Sequence, residues 1–175
     1  ICLFSDLHLS YNPRLWKEAF FWERQGYDVV VITMWVSKAS RNRDIALLKG
    51  HTITYKPFLN LIPGEISPGL RFFYRARKKI AGIIQRYFKI GLPWAISYAP
   101  EKMVKVAFDE NADLYSAHAE CAFYAGRELI LKGKKVFFDF EDWFSRDYLV
   151  PERPVALLQK LERFALEKGL FSITT

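Results

Sequence analysis

One histidine and a set of carboxylates stand where two apolar runs of this chain end. His118 and Glu120 follow the run Ala112 to Ala117, and Asp139, Glu141 and Asp142 stand at the end of the run Lys135 to Phe140. Carboxylates beside an imidazole can accept hydrogen bonds from hydroxyl groups and exchange protons with them. A second group, Asp6, His8, Asn12 and Arg14, occupies the stretch SDLHLSYNPR after the first apolar run. Asp6, His8 and Arg14 could contact a polyhydroxylated ligand through their side chains. Taken alone, the stretch favours the plainer reading, in which Asp6 and Asn12 organise the loop and cap the following helix. His118 also has two readings, a functional one and a local hydrogen bond at a strand end. Cys121 lies close to His118 in sequence, but nothing completes a nucleophilic triad. With Cys2 it reads as a buried free thiol in a reducing compartment, and no metal is expected.

These groups meet only if strand ends come together, and the apolar patterning implies that they do. Ala112 to Ala117, a helix over Glu120 to Lys132, and Lys135 to Phe140 form a βαβ unit. Its right-handed crossover makes the strands parallel, with both C-terminal ends on one sheet edge, where open α/β sheets bind ligands. Upstream, Ile1 to Ser5 reads as a strand, Asn12-Pro13 as a helix start, and Gly26 as the stop of a helix reaching Gln25. Asp28 to Trp35 is a second strand. After a polar connection, Lys38 to Gly50, the alternation of His51 to Lys56 predicts a third strand near an edge, ended by Pro57. A loop is expected over Phe58 to Gly69. A helix from Pro100 to Asn111 leads into the βαβ unit, and one from Pro154 to Lys168 leads to a last strand, Leu170 to Thr174. The expected fold is an α/β, Rossmann-like, doubly wound parallel sheet of about six strands, in the order 3-2-1-4-5-6 with helices on both faces.

With 175 residues, the chain is expected to form one domain. A content of 51% hydrophobic residues excludes a disordered segment. The apolar run Val29 to Val36 is far shorter than the ~18–20 residues of a membrane-spanning helix. Ile1 opens directly into a strand with no basic region before it, so no signal peptide is expected there, and the missing Met suggests an excised piece. A dinucleotide site would need G-x-G-x-x-G after the first strand, where SDLHLSYNPR has no glycine. No G-x-x-x-x-G-K-[ST] occurs either, so neither NAD nor a nucleoside triphosphate is expected.

The net charge of +7 is concentrated in one segment. From Ile66 to Pro100 there is no Asp or Glu, while Arg71, Arg75, Arg77, Lys78, Lys79, Arg86 and Lys89 supply the excess. Phe73, Ala76, Ile80, Ile83 or Ile84, Tyr87 and Ile90 recur at three- and four-residue spacing through it, predicting a basic amphipathic helix. Three readings stay open: a solvated face, a nucleic-acid site without a recognisable motif, or a membrane-surface or lipid-phosphate site. The last makes most physical sense, since basic residues attract anionic head groups while Phe72, Phe73 and Tyr74 enter the interface. No nucleic-acid partner is expected.

Taken in order, NPRLWKEAFFWERQGYDVVVIT, ADLYSAHAECAFYAGRELILKGKKVFFDFEDWF and LERFALEKGLFSITT resemble the N-terminal domain of GT-B glycosyltransferases of the family 4 type. In that family a strand-1 loop leads to a D-P-R-x-x-K-E-A-like helix start. A later strand ends in D-x-x-x-x-H, the next in D-x-H-E, and a final helix beginning with Glu leads into V-I-T. Asn12, Pro13 and Arg14 match the helix start, His118 the strand-end histidine, and Asp139 and Asp142 the outer positions of D-x-H-E. Glu141 departs from the histidine frequent there. The resemblance implies a cytoplasmic acceptor-side domain of a retaining, hexosyltransferase-like enzyme that builds a cell-surface glycan or glycolipid, and the basic helix adds the expectation that it is peripheral at the inner membrane surface. His118 would face the cleft. The nucleotide-sugar donor would bind mostly in a C-terminal domain that this chain lacks, leaving no cofactor in this domain and no activity in isolation. The competing reading is a non-catalytic Rossmann-like domain that docks on a membrane or polyanionic partner.

Overall fold

A computed structural model describes residues 1–146 and 150–174. The six strands are β1 (Cys2–Phe4), β2 (Val30–Trp35), β3 (Thr54–Asn60), β4 (Tyr115–His118), β5 (Val136–Phe140) and β6 (Ser172–Thr174). All are parallel and lie in one sheet in the order β3-β2-β1-β4-β5-β6. Among the described residues, seven α-helices connect them: α1 (Pro13–Arg24), α2 (Lys38–Leu47), α3 (Pro68–Phe88), α4 (Pro93–Ile96), α5 (Pro100–Asp109), α6 (Glu120–Leu131) and α7 (Val155–Lys168). This is the Rossmann-like, doubly wound arrangement expected from the alternation of elements. The strand order reverses between β1 and β4, where Cys2 pairs with Val30 on one side and Tyr115 on the other.

Alternating side chains of the strands feed two cores. Leu3 and Val31 meet Leu15, Ala19 and Leu48 beneath α1 and α2, whereas Phe4, Ile32, Tyr115, Ala117 and Phe138 meet α5, α6 and α7 on the opposite face. Each fully buried large apolar side chain contributes ~1.5–3 kcal/mol of transfer free energy, so both faces are strongly fixed. Close approach of α6 to the sheet depends on Gly126, where a Cβ would lie 2.6 Å from the Phe138 ring. Phe123 fills the space beside it, edge-on to Phe138, Phe140 and Phe144. Cys2 and Cys121 are buried free thiols.

Several elements differ from the sequence reading. Within the expected connection 38–50 runs helix α2, capped by Ser37 through Ser40 N–H. Its buried residues are Ser40 and Asp44, so it carries no apolar periodicity to reveal it. Strand β3 does not stop at Pro57 but continues to Asn60. As an edge strand it tolerates a residue without an N–H, and the register with β2 slips next to that residue, between Thr33 and Met34. Helix α3 begins inside the expected loop, with Ser67 as cap and Pro68 in its first turn. His118 is the last residue of β4 rather than beyond the strand, and Asp139 lies within β5. Among the described residues no helix is long and apolar enough to cross a membrane.

Candidate functional site

At the reversal between β1 and β4 a cleft of about 790 Å³ opens along the C-terminal edge of the sheet. Asp6 follows β1, Ala119 and Glu120 follow β4, and Glu141 and Asp142 follow β5; Lys78, Lys79 and Arg86 reach the cleft from α3. Seven of the residues marked by the sequence are therefore brought together. Two other hollows, of about 740 Å³ along α7 and about 500 Å³ between α2 and β3, contain none of them.

The cleft is electrostatically mixed. Burial raises the Asp6 carboxyl above its ordinary value, opposed by the charge of Lys78 and reinforced by that of Glu141. Glu120 is likewise raised, first by burial; Arg153, which donates to its Oε1, works against the shift and Asp6 adds to it. Carboxyls raised in this way hold and release protons closer to neutrality than exposed ones do. Ala119 forms the turn from β4 into α6 at φ 69° and ψ 170°, a region that favours glycine. That turn costs ~1–3 kcal/mol. It carries Glu120 to the first position of α6, which has no side-chain cap.

His118 does not line the cleft. Its side chain is fully buried, with Nε2 2.8 Å from Glu18 Oε2 and Nδ1 3.0 Å from Glu141 Oε1. Because both acceptors are carboxylates, both ring nitrogens carry protons. Burial alone would lower the imidazolium pKa, but the hydrogen bonds that His118 donates to Glu141 and Glu18 and the charges of Glu18 and Asp139 outweigh it and raise it to about 9. Asn12 joins the network by donating from Nδ2 to Glu141 Oε1 at 2.6 Å, while its Oδ1 caps α1 by accepting from Leu15 N–H. Arg14 grips Asp139 with two donors, Nε to Oδ2 at 2.8 Å and Nη2 to Oδ1. The start of α1 is thus pinned to the ends of β4 and β5, and Glu141 links the buried network to the cleft. Glu18, His118 and Asp139 bring one ligand atom each within 4.8 Å of one another. A cation would have to displace the His118 protons and compete with Arg14, so the network already satisfies these groups without one.

His8 belongs elsewhere. Val36 N–H donates to its Nε2, which leaves Nδ1 to donate to Asp44 Oδ2 at 2.7 Å. Ser10 N–H and the Tyr55 hydroxyl also donate to Asp44. Burial would raise the Asp44 carboxyl; the hydrogen bonds from His8, Ser10 and Tyr55 hold it down to about 2. This cluster ties the β1 loop to α2 and β3. In the basic segment, Arg71 donates to Leu61 O, Arg77 to Tyr98 O and Glu101, and Lys78 to Ile96 O, so these three secure α3 to its neighbours. Arg75 and Lys89 are exposed, and Arg86 pairs with Glu152. The sequence reading missed Glu18, whose position four residues after Arg14 on α1 placed it on the same helix face, and Asp44, for which no signal existed without α2.

Searches against protein-family models, curated proteins and solved structures returned no match.

Proposed function

We propose that this chain is the acceptor-side domain of a retaining GT-B glycosyltransferase, working at an anionic membrane surface on a glycan or lipid-linked acceptor. The observation that carries this reading is the cleft at the strand-order reversal, which gathers the carboxylates of Asp6, Glu120, Glu141 and Asp142 with the cations Lys78, Lys79 and Arg86. Carboxylates accept hydrogen bonds from sugar hydroxyls, and Lys and Arg engage phosphate oxygens of a lipid-linked acceptor. Asp6 and Glu120 would orient the acceptor hydroxyl and receive its proton, a task suited to carboxyls with raised pKa values. His118 would act through Glu141, fixing its orientation without touching the ligand. The nucleotide-sugar donor would bind mainly to a second domain, leaving this one inactive alone.

Calorimetry with a panel of nucleotide sugars tests the reading, applied to this chain and to a longer product of its natural reading frame. Binding by the longer protein and not by this chain is the expected result. Failure of both to bind overturns the transferase and leaves the alternative, a non-catalytic domain docking on a membrane or polyanion through α3.

A further inference from the structure

Helix α3 turns its apolar stripe to solvent. At 3.6 residues per turn, Phe72, Phe73, Ile80, Ile83 and Tyr87 share one side of it, and each is between 44% and 72% exposed. The side facing the domain is formed instead by Tyr74, Ala81, Gly82 and Gln85. An amphipathic helix ordinarily buries its apolar side; here the inward side holds one aromatic, Tyr74, beside Ala81, Gly82 and Gln85, while the larger apolar stripe is exposed.

Charge specifies what covers it. Arg75, Lys79 and Arg86 run along one margin of the stripe, and no acidic residue occurs from Ile66 to Pro100. A second copy of the chain would bring two positive faces together. An anionic bilayer instead receives the apolar side chains at the acyl boundary and the cations at its head groups. We propose that α3 is an in-plane anchor that docks on an anionic lipid bilayer through this stripe and its basic margin. Lys79, Ile83 and Arg86 also line the cleft, so docking sets the cleft mouth beside the head groups, where a lipid-linked acceptor resides. The inference rests on the membrane placement proposed above and is independent of the sugar chemistry.

Co-sedimentation of the chain with vesicles of phosphatidylcholine, with and without phosphatidylglycerol, tests it. Partitioning should be at least tenfold stronger with phosphatidylglycerol and should weaken as salt is raised. The double variant Ile80→Glu, Ile83→Glu should lose at least tenfold and Arg75→Glu severalfold. Ile45→Glu, at an equally exposed isoleucine on α2, should bind as the unmodified chain does. Circular dichroism melts check that each variant is folded. Equal sedimentation of the double variant and the unmodified chain overturns the anchor. So does a dimer, seen by light scattering, that the double variant dissolves while no vesicles bind. Vesicle binding alongside failure of the nucleotide-sugar panel overturns the transferase and leaves the anchor standing; the reverse result overturns the anchor alone.

Discussion

The charge state of His118 is set by its neighbours rather than by solvent. Its folded pKa of about 9 lies above the ordinary imidazole value of ~6.5. The stabilisation it contributes is therefore complete below about pH 6.5 and disappears as pH rises through about 9, an effect of order 3 kcal/mol. Thermal melts from pH 6 to 9.5 should show this loss, and His118→Gln should flatten it while lowering stability throughout. That variant leaves Glu18, Glu141 and Asp139 facing one another with Arg14 as the remaining cation of the network. Asp6 and Glu120 should respond differently because they line the cleft. On the transferase reading proposed above, Asp6→Asn and Glu120→Gln, placed in a product extended along the natural reading frame, should reduce sugar transfer at least tenfold with little change in melting temperature, as measured by product formation under donor saturation.

Single elements carry costs and supports of their own. Helix α2 is organised around a buried carboxylate, so Asp44→Asn should destabilise the protein by about 2–4 kcal/mol in urea titrations, through the weakened bonds to His8, Ser10 and Tyr55. The same carboxylate has a folded pKa of about 2, below the ordinary value of 3.8. Its contribution is present above about pH 4 and is lost as pH falls through about 2. The turn between β4 and α6 is strained at Ala119, where glycine has no Cβ to accommodate. Ala119→Gly should raise stability by ~1 kcal/mol in the same titration; an unchanged or lower midpoint would show that the turn is not under strain.

For the whole molecule, strand order was readable because apolar runs, helical crossovers and their fixed handedness leave few arrangements. The carboxylates ending β4 and β5 could be placed at one edge for the same reason. Periodicity conveyed that α3 has an apolar stripe but not what the stripe faces. It was silent on α2, whose inward residues are polar. The partners of His118 were beyond reach as well, since Glu18 lies 100 positions away in the chain and only the packing of α1 on the sheet brings it near. The pairing of Cys2 with Tyr115 has a further consequence. On the ribosome, β1 can join β2 early, but its other edge has no native neighbour until β4 has emerged. Throughout that interval the nascent chain presents an open strand edge, a template for mispairing. Arrested chains ending before Tyr115 should accordingly be cut readily by protease and recruit holdase chaperones, and chains extended past β5 should not.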